Sequence, residues 1–202
     1  KTKTGEVVHE LTLDRKDSLS VYEMATDFNL PVNFIDLDYI YEPPYPKDRD
    51  SLYNKAVTNI PEDQALQFKA VDIEKLPNPF KINKIVLSRP SEELDEIIPM
   101  IPKQYHEYFN IYKSQSHILE VLPLNVDKGN AMRIVGEMLG LEKSQIMGIG
   151  DQENDFTLVE QAGLGVAMGN AIEKVKDVAD YITKTNEESG VAYAIRKFAL
   201  NE

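Results

Sequence analysis

The sequence predicts an α/β fold, in which a small α+β unit is followed by a parallel sheet covered by helices. Three observations predict it. All 11 prolines fall between Pro31 and Pro123, whereas nine of the 10 glycines lie at or beyond Gly129. The punctuation therefore changes character near residues 114–123, which marks a boundary. Beyond it, short apolar runs alternate with amphipathic segments, the pattern of βα units; before it, strands and helices mix without that regularity.

In the first part, Val21, Met24, Ala25 and Phe28 repeat at i, i+3, i+4 and i+7 and predict a helix with one buried face. Residues 32–37 read as a short strand and 50–59 as a short helix. Residues 82–87 read as a strand, 92–101 as a helix, and 109–112 and 118–122 as two further strands. Glu42-Pro43-Pro44-Tyr45-Pro46 is the densest loop signal.

In the second part, Asp127 is placed to cap a helix whose face is Ala131, Ile134, Val135 and Met138, with Gly140 as its stop. Residues 146–149 form an apolar strand, and a polar loop, 150–154, leads into a helix through Gln161. Residues 165–168 (strand), 171–178 (helix) and 181–183 (strand) follow. Val191, Ala194, Ile195 and Phe198 make a last helical face.

Composition limits the function. The chain has 22 basic and 34 acidic side chains, a formal charge of -12. Residues 1–118 hold 14 against 20 and residues 119–202 hold 8 against 14, so no basic half offers itself to nucleic acid. The absence of cysteine removes disulfides, thiolate zinc sites and thiol nucleophiles. It agrees with a reducing compartment, and a cytoplasmic location is expected. No apolar run approaches the ~20 residues of a membrane span, so no membrane partner is expected.

In such parallel sheets ligands bind beyond the carboxyl ends of the strands. That directs attention to Gly150-Asp151-Gln152-Glu153-Asn154-Asp155, which crowds three carboxylates and two amides between an apolar strand and a helix. Two readings compete. The cluster is either a helix cap or a set of oxygen ligands for Mg²⁺, which takes one or two protein carboxylates and keeps water or phosphate oxygens. A second feature is Lys128, at a helix start, the wrong end for the helix dipole. It is either an ordinary surface lysine or an ammonium reaching a phosphate.

Together, Lys128 in its DKG setting, IMGIGDQENDF at 146–156 and GVAMGNAIEKVKDVADYIT at 165–183 resemble the haloacid dehalogenase (HAD) superfamily. The likeness is to its Cof-type phosphatases and most closely to the YidA-type bacterial sugar phosphatases. The GDxxND loop followed by MGNA is the specific part; the lone lysine is not.

The resemblance implies a Rossmann-like core with an inserted α+β cap. Residues 1–7 would connect core to cap, 8–118 would be the cap, and 119–202 the C-terminal half of the core. It implies hydrolysis of small sugar phosphates with Mg²⁺ through an aspartyl-phosphate. By position, Lys128 matches the lysine that neutralises the phosphoryl group and orients the nucleophile. Asp151 matches the acidic Mg²⁺ ligand and Asn154 the asparagine that holds the phosphate. Asp155 matches the second carboxylate, orienting Lys128 or a metal-bound water. Gly148 and Gly150 would let backbone approach closely, and Gly169-Asn170-Ala171 would lie nearby without an assigned role.

The family's nucleophile belongs to a DxDGT motif, which these 202 residues do not contain. The chain is therefore expected to be a fragment, inactive by itself. Phe34-Ile35-Asp36-Leu37-Asp38 imitates the motif, but Tyr39-Ile40 stands in place of Gly-Thr; Asp36 and Asp38 are expected in a cap strand and loop. His9, His106 and His117 are scattered and expected at surfaces or strand edges. Tyr39, Tyr41, Tyr45 and Tyr53 are expected to pack rather than bind sugar. The alternatives are a phosphotransferase or phosphomutase of the same superfamily, a non-catalytic sugar-phosphate binding module, and a plain structural domain. The oligomeric state is not legible.

Overall fold

The computed structural model describes residues 5–44, 51–57, 67–72, 75 and 81–200. They belong to two compact units, Lys1–Leu124 and Asn125–Glu202, each with its own sheet.

In chain order the first unit contains α1 (Arg15–Asp27), β1 (Val32–Ile35), β2 (Tyr39–Glu42), α2 (Leu52–Val57), β3 (Gln67–Ala70), β4 (Lys84–Ser88), α3 (Ser91–Ile97), α4 (Lys103–Tyr108), β5 (Phe109–Gln115) and β6 (Ile118–Pro123). Helix α1 starts where the Asp14 carboxylate accepts the Asp17 N–H at 2.8 Å. It stops where Asn29 takes a left-handed φ of 55°, a conformation asparagine tolerates. Its predicted face is the buried one: Val21, Met24 and Ala25 sit in the core.

The sheet runs β3-β2-β1-β4-β6-β5, antiparallel except for the parallel β2–β3 pair. Alternation along the strands sorts the side chains. Phe34, Ile85, Leu87, Leu119 and Val121 join Leu13, Val21 and Leu94 in the main core. Ile35, Ile40, Val86 and Ile118 form a second cluster, with Tyr53 packed against it. Each such side chain contributes up to about 1.5–3 kcal/mol by leaving water.

The division between the units differs from the expected one. It falls after Leu124 rather than after residue 118, because β6 hydrogen-bonds to β4 on one side and β5 on the other. Strands β2 and β3 and helix α4 do not follow from the sequence pattern; β3 is exposed along its length, and its Gln-Phe-Lys-Ala alternation spans only four residues. The predicted helix over 50–59 is present as α2; Ser51 precedes it outside the helix, and residues 50, 58 and 59 lie outside the described residues.

The second unit contains α5 (Lys128–Met138), β7 (Met147–Gly150), α6 (Phe156–Gln161), β8 (Leu164–Ala167), α7 (Glu173–Lys176), β9 (Tyr181–Ile182) and α8 (Gly190–Ile195), which continues into a wider turn over Arg196–Leu200. Its sheet, β7-β8-β9, is wholly parallel, around a core of Val159, Ala167, Met168, Ala171 and Val175. Helix α5 ends as expected. Gly140 has φ 67°, its N–H reaches Glu137 O at 3.1 Å, and the Leu141 N–H reaches Gly136 O at 2.9 Å, a paired closure that satisfies the last carbonyls.

Two predicted helix faces do not turn inward. On α5, Val135 and Met138 are exposed, and the helix buries Gly129 and Gly136 instead. On α8, Ala194 is buried while Val191 and Ile195 are exposed. In α5 the smallest residues make the close approach, which periodicity of large apolar residues does not detect. No helix among the described residues is long and apolar enough to cross a membrane.

Candidate active site

The loop after β7 begins at Gly150 and is shaped by Asp155. After a 3-10 turn over Glu153–Asp155, the Asp155 side chain folds back on the loop. Its Oδ2 accepts the backbone N–H of Asp151 at 2.9 Å and of Gln152 at 3.2 Å. Its Oδ1 accepts from Lys128 Nζ, and the two side chains form an ion pair. Asp155 is 7% exposed. Gly150 makes this possible: a Cβ there would lie 2.2 Å from Asp155 Cβ, a distance no packed pair tolerates.

Burial alone would push the Asp155 carboxyl up. The Lys128 hydrogen bond, the N–H groups of Asp151 and Gln152, and the Lys128 charge outweigh it and hold the group below its ordinary value. Asp155 is therefore a buried anion that fixes one cation.

Lys128 is positioned from its own side as well. The Asp127 carboxylate caps α5 through the Asn130 N–H at 2.8 Å and also accepts the Thr157 hydroxyl at 2.8 Å. Thr157 Oγ1 in turn accepts the Gly129 N–H at 3.1 Å. A Cβ on Gly129 would meet Thr157 O at 2.5 Å, so α5 lies against α6 at the residue next to Lys128. Its ammonium has three donors; one is spent on Asp155, and the side chain remains about half exposed.

Asp151 stands at the carboxyl end of the parallel sheet, half-buried. Its carbonyl accepts the Ile172 N–H at 3.0 Å, and its Oδ2 accepts from Asn170 Nδ2 at 3.0 Å. Asn154 is half-buried in the same loop. Glu153 is tied outward to Lys174 at 2.9 Å. Asp180 is structural, accepting the Gly165 N–H at 2.8 Å.

The structure thus brings Lys128 and Asp155 together and ties Asp151 to Asp155 through the backbone. Asn170 and Thr157 also support the site, although no role was assigned to either from sequence. A hydroxyl at the second position of a helix carries no signal of its own, whereas Asn170 belongs to the MGNA segment quoted above. Of the two carboxylates expected to serve a metal, Asp155 is committed through both oxygens to Lys128 and the loop. Asp151 keeps an oxygen that accepts no hydrogen bond from the described residues. No three His, Asp or Glu side chains converge on one point among the described residues. Mg²⁺ asks for one or two protein carboxylates and keeps other oxygens, so Asp151 fits as a single, pre-oriented ligand.

The imitation motif is built otherwise. Asp36 sits in the turn between β1 and β2. Its Oδ1 accepts the N–H of Asp38 and of Tyr39, both at 2.7 Å, and its Oδ2 accepts the Tyr41 hydroxyl at 2.8 Å. Burial first, then the Asp36 hydrogen bond and charge, push the Tyr41 hydroxyl up. Tyr39 and Tyr41 lie 5.9 Å apart, Lys69 sits over the Tyr39 ring, and Tyr45 lies outside the described residues. His9 and His106 are exposed, and His117 is half-buried.

A lysine–aspartate pair and a second carboxylate thus stand at the strand ends of a parallel α/β unit, the placement expected above. The match to known proteins agrees. Residues 1–195 match the haloacid dehalogenase-like hydrolases, and the chain belongs to that family. It is 36% identical over 199 residues to "Putative phosphatase YxeH" of Bacillus subtilis (strain 168), covering 98% of this chain and 72% of that protein. Over 82 residues it is 50% identical to the 5-amino-6-(5-phospho-D-ribitylamino)uracil phosphatase YcsE of the same organism, covering 41% of this chain and 33% of that one. Among solved structures, a haloacid dehalogenase-like hydrolase from Bacteroides thetaiotaomicron superposes with a TM-score of 0.74 at 27% identity, covering 96% of this chain and 71% of that chain.

Proposed function

We propose that the protein is a Mg²⁺-dependent phosphatase of small sugar or sugar-alcohol phosphates, working through an aspartyl-phosphate. The observation that carries this reading is the Lys128–Asp155 pair held at the carboxyl end of β7. An ammonium fixed by a buried anion, with donors to spare, is suited to a phosphoryl oxygen. Family membership supports the reaction class. The ribityl phosphate in the name of YcsE supports a polyhydroxylated leaving group.

In this reading Lys128 neutralises the phosphoryl group, and Asp155 pairs with Lys128 and aims it. The Asn154 amide donates to a phosphoryl oxygen. Asp151 holds Mg²⁺, which when bound supplies charge neutralisation for the transferring group. An aspartate carboxylate attacks phosphorus as the P–O bond to the sugar breaks; water then cleaves the acyl phosphate and releases inorganic phosphate. That aspartate belongs to a DxDGT motif that these 202 residues do not contain, so residues 1–202 alone release no phosphate. The first unit, which ends at Leu124, acts as the cap that selects the sugar.

The test is phosphate release by the intact protein from a panel of sugar phosphates with and without Mg²⁺, combined with acid quenching and hydroxylamine treatment. Metal-dependent turnover with a hydroxylamine-labile phosphoenzyme is expected. Turnover without any trapped acyl phosphate across the panel contradicts the mechanism.

A further inference from the structure

Asn170 lies in the turn after β8 and spans two partners. Its Oδ1 accepts the backbone N–H of Asn186 at 2.9 Å, and its Nδ2 donates to Asp151 Oδ2 at 3.0 Å. The first bond settles the second. An amide oxygen and nitrogen are interchangeable in outline, but only the oxygen accepts an N–H, so the nitrogen must face the carboxylate.

The turn itself is pinned. The Gly169 N–H reaches Lys184 O at 3.0 Å, and the Ala171 N–H reaches Met168 O at 2.9 Å. Gly169 has no room for a side chain, since a Cβ would lie 2.9 Å from Thr185 N. From the other direction, the Ile172 N–H holds the Asp151 carbonyl at 3.0 Å. Asp151 is thus gripped at its backbone by residue 172 and at one carboxylate oxygen by residue 170. The grip leaves Oδ1 as the oxygen without a hydrogen-bond donor among the described residues.

We infer that Asn170 is a positioning residue: its amide occupies Asp151 Oδ2, fixes the carboxylate rotamer and presents Oδ1 to the divalent cation. The inference rests on the reading of Asp151 as an oxygen ligand. Partners of this kind, one bond removed from the cation, typically set metal affinity by about 10–100-fold. It also explains why an exposed asparagine is built into a turn that the chain closes so tightly.

The test is Mn²⁺ affinity of the intact protein, read by electron paramagnetic resonance, for the parent, Asn170→Ala, Asp151→Asn and the double variant. Thermal unfolding without metal is recorded for each. Asn170→Ala is expected to bind Mn²⁺ about 10-fold more weakly, with little change in metal-free unfolding. In the Asp151→Asn background the second substitution is expected to add nothing. Unchanged affinity in Asn170→Ala, beside a loss in Asp151→Asn, overturns the role of Asn170 and leaves Asp151 as a ligand. Additive losses in the double variant also overturn it, since the two residues would then act independently. Unchanged affinity in Asp151→Asn overturns the ligand reading itself. Should Asn170→Ala fail to fold, Asn170→Ser keeps a small polar group in the turn and is expected to fall between parent and Asn170→Ala.

Discussion

Two acidic loops, each following an apolar strand, share a chemistry on paper and differ in what they leave available. In the first unit, Asp36 closes the turn after β1 and spends both oxygens on Asp38, Tyr39 and Tyr41. Among the described residues no cation pairs with it, and its hydrogen bonds close within its own hairpin. In the second unit, Asp155 also spends both oxygens, but one goes to Lys128, whose ammonium keeps further donors. The other shapes the backbone so that Asp151 stands apart with one oxygen unclaimed. The lesson is that a carboxylate count does not distinguish a cap from a site. What distinguishes them is whether the hydrogen bonds close on themselves or hold another charged group in place.

The comparison breaks first at Asp155. Asp155→Ala strips a buried anion from Lys128 and from two backbone N–H groups, and is expected to destabilise the second unit by about 3 kcal/mol in urea unfolding. A change below about 0.5 kcal/mol, the range of ordinary surface substitutions, would mean the loop holds its shape without it. Next is Gly150→Ala. The added Cβ displaces Asp155, and about 2 kcal/mol of overpacking is expected in the same assay, with a parallel loss of phosphate release. Asp36→Ala comes third: it should cost the first unit about 1–2 kcal/mol and leave phosphate release unchanged.

The smallest effect is the pH dependence. Because the Asp155 carboxyl is held below its ordinary value in the folded protein, its contribution to stability is complete above the unfolded carboxylate value. It is lost as pH falls through the folded one, below about pH 4. Acid titration of stability should therefore be flatter for Asp155→Asn than for the parent in that window.

Much of this was legible in the sequence because it is local. The Asp127 cap, the Gly140 stop and the buried face of α1 follow from residue spacing alone. The Lys128–Asp155 pair joins residues 27 apart, and only the family likeness brought them together in advance. Three things were not legible. Strand β2 depends on partners on both sides, which Tyr39–Glu42 does not announce. The buried side of α5 is lined by glycine rather than by large apolar residues, so periodicity pointed to Val135 and Met138. Asn170 reaches Asp151 only because β8 and the 184–186 segment close around its turn, a contact that no spacing rule encodes.

Phosphate release from a sugar phosphate by the intact protein, comparing Lys128→Ala with Asp36→Asn, decides which acidic loop serves the chemistry. Lys128→Ala is expected to lose about 100- to 1,000-fold in kcat, while Asp36→Asn keeps the parent rate. The reverse result, activity surviving in Lys128→Ala and vanishing in Asp36→Asn, would contradict the role of Lys128 and move the chemistry to the β1–β2 hairpin.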